Sequence, residues 1–363
     1  MSPDRDHADS IVLVADVGGT FVRCALTRAG QLIGEPVRLE GAHFDDLGAA
    51  CRAFLATQRS VPSLAGASIA AAGRVRDGRI DMTNARWHIA PDALSRDLAV
   101  PVQGITLLND FEALAWGATQ LGTDDTQALP GGARRGSMRE PPVPDPRGHR
   151  ALLGPGSGLG VAALIRTAAP GAAASAPSVR AQGSPARAPD ARASAWLPVA
   201  TEGGHASFAP ETPFEREVAR LGAARFGRTS WERVLSGPGL VLLHEAALRH
   251  AGQHEAAGAD AQAVLKACAS GQPAARLAVD SFLGLLGAFA GDLALLYQAS
   301  AGVLIAGGVL GHVAQVADLA PVRTRFEAKG RFSGWLEEIP LDQVVTPHLA
   351  LLGAARAWEQ ARA

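Results

Sequence analysis

Residues 11–26, IVLVADVGGTFVRCAL, hold two apolar runs joined by a glycine pair. Each run is long and apolar enough to be a strand buried in a sheet, and the glycines predict a tight turn between them. A single charged residue, Asp16, sits just before the turn. Further apolar segments repeat the theme. AGASIAAAG (65–73) and GITLLND (104–110) read as strands, and VRDGRIDM (75–82) carries an Asp77-Gly78 hairpin signal. DDLGAACRAFLATQ (45–58) and FEALAWGATQL (111–121) have helical spacing between or after them. Strands that alternate with helices predict an α/β architecture.

The rest of the chain has the same character with two interruptions. Residues 130–150 and 167–195 are rich in Pro, Gly, Ala, Ser and Arg and lack an apolar period. Such segments bury too little surface to offset the entropy of ordering them, so both are expected to be disordered surface insertions. A helical segment follows from 213 to 225, with long helices to about 299. GVLIAGG (302–308) reads as the last buried strand and residues 347–363 as a terminal helix; no internal repeat is evident. Residues 282–311 are long and apolar, but Asp292 and several glycines break them, and they read as a core helix plus a short strand.

Bulk properties narrow the function. A formal net charge of −1 argues against a nucleic-acid partner or a membrane-surface patch. The three cysteines, Cys24, Cys51 and Cys268, are far apart, which fits a reducing, cytoplasmic setting better than a disulfide framework or zinc site. The N-terminus lacks the basic start and apolar core of a signal peptide.

Two glycine-rich turns, DVGGT (16–20) and GPGSGLG (154–160), can converge backbone N–H groups on an anion. A Walker loop is excluded, because neither lysine of the chain (Lys266, Lys329) follows a glycine loop. The GxGxxG dinucleotide spacing also fails, since its third glycine falls on Leu159 or beyond Gly160. Asp110, after an apolar strand, suits a base facing a ligand, and it equally suits a helix N-cap. Glu202 and His205 in EGGH could bind a polyol or form a solvated turn. Glu232 could bind a ligand or close a capping box with Thr229.

Taken in order, ADVGGTFVRCAL, LLNDFEALAWG, GPGSGLG, EGGHASFAP, ERVLSGPGL and AGGVLG resemble the bacterial ATP-dependent glucokinases. The resemblance spans about residue 11 to 360 apart from the two insertions. It implies a two-domain, actin-like (ribonuclease H-like) sugar-kinase fold with an active-site cleft between the domains. A small α/β domain is expected over 11–110 plus 347–363, and a large one over 111–346. The family's first phosphate loop maps onto Asp16, Gly18, Gly19 and Thr20, with Asp16 holding Mg²⁺ through water. Its second loop maps onto Gly156, Ser157, Gly158 and Gly160, serine standing where relatives carry threonine. Gly307 and Gly308 match the turn near the adenosine of ATP. Asn109, Asp110, Glu202, His205 and Glu232 match the sugar-binding set, with Asp110 as base, and Asn84 in MTNARWHI matches a loop beside the sugar. Phe21 departs from the polar residue that usually follows GGT.

The implied substrates are glucose and ATP, with Mg²⁺ as cofactor, and a homodimer is compatible with the pattern. A kinase for mannose, fructose or an N-acetylated amino sugar would use the same parts. A non-catalytic sugar sensor should have lost the base or the phosphate loops. No clustered cysteines or N-terminal helix-turn-helix point to the wider repressor-and-kinase sugar family. Deleting residues 171–193 is expected to leave turnover and melting temperature nearly unchanged, because loop entropy changes by only ~0.6 kcal/mol per doubling of length. A steady-state assay and a thermal melt of the deletion variant check this.

Overall fold

A computed structural model describes residues 10–58, 63–82, 87–131, 142–168, 194–253 and 260–362. The chain divides into two units, one of residues 1–124 and 346–363 and the other of residues 125–345.

The first unit begins with the two runs that open the sequence, β1 (Ile11–Val17) and β2 (Phe21–Arg28). These are followed by β3 (Gln31–Glu40), α1 (Leu47–Ala56) and β4 (Gly66–Ala71). A small three-stranded sheet comes next, of β5 (Gly73–Arg76), β6 (Arg79–Met82) and β7 (His88–Ile89), then α2 (Pro91–Leu98), β8 (Ile105–Asn109) and α3 (Asp110–Ala118). The chain's last helix, α11 (Leu349–Gln360), returns to this unit. The main sheet has the order β3-β2-β1-β4-β8, antiparallel through the first three strands and parallel from β1 to β8. Asp77 and Gly78 both take positive φ, 49° and 71°, as the turn between β5 and β6 requires.

Strand periodicity sorts the side chains onto two faces. Leu13, Ala15, Val17, Ala67 and Ile69 pack with Leu47 and Phe54 of α1 and Leu94 of α2. Val12, Val14, Ala70 and Leu108 pack with Ala113 of α3 and Leu351, Ala354 and Trp358 of α11. Both faces are covered, so every residue of β4 is buried. The close fit of α3 on α11 carries the first unit past the strand end at 110, where the sequence pattern placed a boundary, to Asp124.

The second unit contains β9 (Thr126–Ala128), β10 (Arg150–Pro155), β11 (Leu159–Ala168) and β12 (Ser194–Thr201). The helices α4 (Pro213–Phe226), α5 (Gly237–His250), α6 (Ala261–Ala269) and α7 (Pro273–Tyr297) come next. It closes with β13 (Val303–Ile305), α8 (Gly308–Val313), α9 (Ala320–Glu327), α10 (Ser333–Leu336) and β14 (Leu341–Val344). Its sheet runs β12-β11-β10-β13-β14-β9, again antiparallel across the first three strands and parallel from β10 to β14. The two units therefore share one plan over five strands, and in each a glycine turn joins an antiparallel pair, β1 and β2 in the first and β10 and β11 in the second. The sequence showed no such repeat. β14 was also missed, since LDQV has no apolar run of its own.

Of the two stretches expected to be disordered insertions, 132–141 and 169–193 lie outside the described residues. Residues 142–150 are held in place. The Asp145 amide donates to the Ser300 carbonyl at 3.3 Å, and the Arg166 guanidinium donates to the Pro146 carbonyl at 2.8 Å. A composition-based reading overlooks such backbone anchoring. The long apolar stretch forms α7 and β13, and α7 packs against α5, α6 and α9 in the centre of the unit's core. Asp292 on α7 is paired with Lys329 at 2.5 Å.

Gly353 on α11 lies so close to α3 that a Cβ there would overlap the Ala113 carbonyl. Gly353→Ala is expected to force the helices apart at ~1–3 kcal/mol, the usual range for overpacking. Several degrees of melting temperature should be lost, measurable by calorimetry.

Candidate active site

Two of the candidate residues, Asp16 and Asp110, lie at the carboxyl ends of β1 and β8. Asp16 lies on β1, opposite Arg23 on β2, and the guanidinium pairs with its Oδ2 at 3.0 Å. Burial raises the Asp16 carboxyl, and the Arg23 pairing and the charge of His348 partly offset this. The turn that follows, Gly18, Gly19 and Thr20, is exposed, and the Gly18 amide donates to the Phe21 carbonyl at 2.9 Å. Phe21 is the platform for Arg38, whose guanidinium carbon stands 3.5 Å from the ring centroid. That stacking explains an aromatic ring where a polar side chain was expected.

The junction of β8 and α3 separates two roles that the sequence left competing for Asp110. The helix is capped by Asn109, not by Asp110. Its Oδ1 accepts from the Phe111 and Glu112 amides at 2.9 and 3.3 Å, and its Nδ2 donates to the Gly73 carbonyl at 3.1 Å. An amide nitrogen carries two hydrogens, and the Asn109 side chain also hydrogen-bonds the Asp110 carboxyl, which lowers it. Asp110 is the first helical residue and half-buried, and its Oδ1 accepts from the adjacent Phe111 amide at 3.0 Å. Burial pushes its carboxyl up to about 6, the Phe111 N–H draws it down, and the negative charge of Asp16 raises it again. Asp110 is thus a carboxylate tuned toward neutral pH, as a general base requires.

In the second unit the glycine turn, Gly156 to Gly158, joins β10 to β11. Gly160 lies inside β11, paired with Gly154, rather than in the turn itself. Gly307, at φ 97°, follows β13, where a Cβ would stand 2.6 Å from the Pro155 carbonyl oxygen. Only glycine allows that approach, which sets Gly307 and Gly308 beside the β10–β11 turn.

Glu202, His205 and Glu232 are brought together in this unit. The Glu232 amide donates to the Gly204 carbonyl at 2.8 Å and the Trp231 amide to the Ala206 carbonyl at 3.0 Å. Trp231 is buried and stacks on Phe289 of α7 at 4.7 Å, which ties this pairing to the core. The His205 ring lies between the carboxylates, with Nε2 3.6 Å from Glu202 and Nδ1 3.9 Å from Glu232. Glu232 Oε2 accepts from the Leu159 amide at 3.1 Å, next to the glycine turn. The capping-box alternative for Glu232 is not realised. Thr229 donates its hydroxyl to the Ala219 carbonyl, and Ser236 caps α5. A capping box does occur, at Thr212 and Glu215 on α4. Asn84 lies outside the described residues.

Arg23 was passed over by the sequence reading. Strand alternation across the turn places residue 23 opposite residue 16, a signal that could have revealed it.

The class of protein follows from fold and residues together. A crystal structure of glucokinase from an Antarctic psychrotroph superimposes with a TM-score of 0.74 at 27% identity, covering 97% of this chain and 99% of that one. A ROK-family glucokinase from Streptomyces griseus, solved with glucose and AMPPNP, shares the fold at a TM-score of 0.57 and 19% identity, covering 97% and 100%. These are actin-like sugar kinases. The family model for glucokinase matches residues 13–178 and 189–361, and the glucokinase of Chromobacterium violaceum is 35% identical over 343 residues, 94% of this chain and 88% of that one. The chain belongs to the glucokinase family.

Stability should distinguish the two residues of the junction. Asp110 has an ordinary value of 3.8 and a folded value of about 6. The folded state therefore binds the proton more tightly, and stability present below pH ~4 is lost as pH rises through ~6. Asp110→Asn removes that loss. It should be more stable than the parent at pH 8, on the order of 1 kcal/mol, and equal to it below pH 4. Asn109→Ala should lose about 1 kcal/mol of cap at either pH. Thermal melts across the pH range measure both.

Proposed function

We propose that the chain transfers the γ-phosphoryl group of ATP to the 6-hydroxyl of glucose, giving glucose 6-phosphate and ADP. The observation that carries this reading is Asp110, a half-buried carboxylate pushed up to about 6 and relieved of capping by Asn109. The sugar hydroxyl attacks phosphorus, the new O–P bond forms as the bond to ADP breaks, and Asp110 accepts the hydroxyl proton. Asn109 stands beside it in the sugar-binding set and holds the Asp110 carboxyl by a side-chain hydrogen bond. Glu202 and Glu232 accept from other sugar hydroxyls, with His205 between them. The exposed turn Gly18 to Thr20 and the part-buried turn Gly156 to Gly158 present backbone to the phosphates, and Gly307 and Gly308 stand by the adenosine.

Among the described residues no three His, Cys, Asp or Glu side chains cluster as a metal cage. That donor set suits Mg²⁺, which keeps most of its water and is usually bound by one or two carboxylates and substrate phosphates. Asp16, one oxygen of which pairs with Arg23, would hold it through water. The ion supplies charge neutralisation across the β- and γ-phosphates. A cytoplasmic location accords with three free, buried cysteines. A panel of hexoses with ATP tests the acceptor; phosphorylation of mannose or an amino sugar in preference to glucose would overturn the glucose assignment.

Asp110→Asn is expected to lower turnover by ~10²–10⁴, the range for lost acid–base catalysis. Glucose affinity by calorimetry should stay within about tenfold of the parent. In the parent, kcat/KM should fall as pH drops through ~6 and Asp110 takes up its proton. A variant that turns over near the parental rate would remove Asp110 from the role of base.

A further inference from the structure

The first glycine turn has a neighbour that the proposed function does not use. Gly18, Gly19 and Thr20 are exposed, and the end of β3 is tied to them by the Gly41 amide, which donates to the Thr20 carbonyl at 2.9 Å. Beside the turn a row of charged residues crosses three strands. Asp16 on β1 stands opposite Arg23 on β2, and Arg23 stands opposite Arg38 on β3. Residues opposite each other on neighbouring strands share a face, so one carboxylate and two guanidinium groups lie side by side.

Like charges directly opposite are destabilising, and each arginine is held differently. Arg23 has Asp16 at 3.0 Å. Among the described residues no carboxylate lies within ion-pair distance of Arg38. Glu40, two positions along on the same face, stands 3.5 Å from His43. The Arg38 guanidinium rests on an aromatic ring instead, its carbon 3.5 Å from the centroid of Phe21, the residue that directly follows the turn. Phe21 is two positions nearer the turn than Arg23, so the stack draws the head of Arg38 toward the exposed glycines. Stacking fixes the plane of a guanidinium and leaves its N–H edge free to donate. A flat fork of donors beside an exposed glycine turn suits phosphate oxygens. Charge is also graded across this sheet, whose order is β3-β2-β1-β4-β8. The arginines occupy the β3 and β2 side, while Asp16 and Asp110 lie at the ends of β1 and β8. A polyanion is drawn to the first side and repelled by the second.

We infer that Arg38, seated on Phe21, takes the β- and γ-phosphates of the nucleotide at the Gly18–Thr20 turn, a role that rests on the proposed function and adds a side chain where the turn otherwise offers only backbone. Phe21 then has a task at the position where this turn departs from the family pattern. It holds the guanidinium flat and aimed.

The test compares the parent with Arg38→Ala, Arg38→Lys and Phe21→Leu. Calorimetry with the Mg²⁺ complex of AMPPNP, with AMP and with inorganic tripolyphosphate measures binding apart from turnover. Arg38→Ala should weaken AMPPNP and tripolyphosphate alike by about tenfold or more, the scale of one lost charge-assisted hydrogen bond, and leave AMP within about twofold. Arg38→Lys keeps the charge without the planar fork and should fall between Arg38→Ala and the parent. Phe21→Leu should show a smaller loss in the same direction, because the guanidinium stays and its platform goes. KM for ATP should rise in step with the AMPPNP constant, while glucose affinity and melting temperature stay at parental values. An unchanged AMPPNP affinity in Arg38→Ala would overturn the inference. So would a loss that vanishes at about 0.5 M salt, where the Debye length is ~4 Å, because Arg38 would then attract the nucleotide only from a distance. An equal loss for AMP would overturn it too, since the residue would then be shaping the site and not holding the outer phosphates. A parent chain that binds AMPPNP with this Arg38 dependence yet transfers nothing to glucose would overturn the proposed function and leave the phosphate role standing.

Discussion

A helix that starts immediately after a strand leaves its first N–H groups without partners, and the Asn109 side chain accepts from two of them. Much of the site in the first unit depends on that. Had Asp110 been needed as the cap, its carboxylate would have been spent on strong charge-assisted bonds that lower its pKa. With Asn109 in that place, Asp110 sits half-buried in the first turn of α3, where burial outweighs its hydrogen bonds and pushes it up to about 6. The bond from Asn109 to the Gly73 carbonyl also ties the junction to β5. On its other side α3 is held by α11, which the small residues Gly117 and Gly353 allow to approach closely.

The second unit reaches a comparable result by different means. Glu202 follows the end of β12 and leads into a 3-10 turn, and Glu232 lies in a loop. Three backbone hydrogen bonds join those segments, and Trp231 fastens them to α7 by stacking on Phe289. Glu232 then spans two environments, bonding the Leu159 amide beside the glycine turn and flanking His205. This arrangement links the residues assigned to the sugar with the loop assigned to the phosphates. A substitution at Trp231 or Phe289 would be felt at Glu232 although neither ring is part of the site.

Much of the fold was legible because buried strands leave a plain trace. IVLVADV, GASIAA and ITLLN are apolar runs of strand length, and the Asp77-Gly78 turn announces its hairpin. The parts that escaped have physical reasons. LDQV forms β14 only because β13 and β9 are there to pair with it. Residues 142–150 are Pro- and Arg-rich, and backbone bonds to Ser300 and from Arg166 hold them without an apolar core of their own. The shared strand plan of the two units escaped as well. Hydrogen-bond order can persist when side chains share only their polarity pattern.

By itself the sequence determined the inventory of chemistry. It contains two glycine turns after apolar strands, a carboxylate following one strand end, and an acidic pair around a histidine, in the order of one kinase family. Local rules suffice for that, because glycine, strand periodicity and helix spacing act over a few residues. Only the tertiary structure decided which residue does which task. Capping at Asn109 rather than Asp110, the Arg23 partner of Asp16 and the meeting of Glu232 with His205 each depend on groups brought together from separate segments. The pKa of Asp110 is likewise set by burial and by Asp16, which is 94 positions away in the chain and close only when the parallel strands β1, β4 and β8 stand side by side. Electrostatic and hydrogen-bonding roles are settled by distance in space, and a linear pattern does not carry that distance.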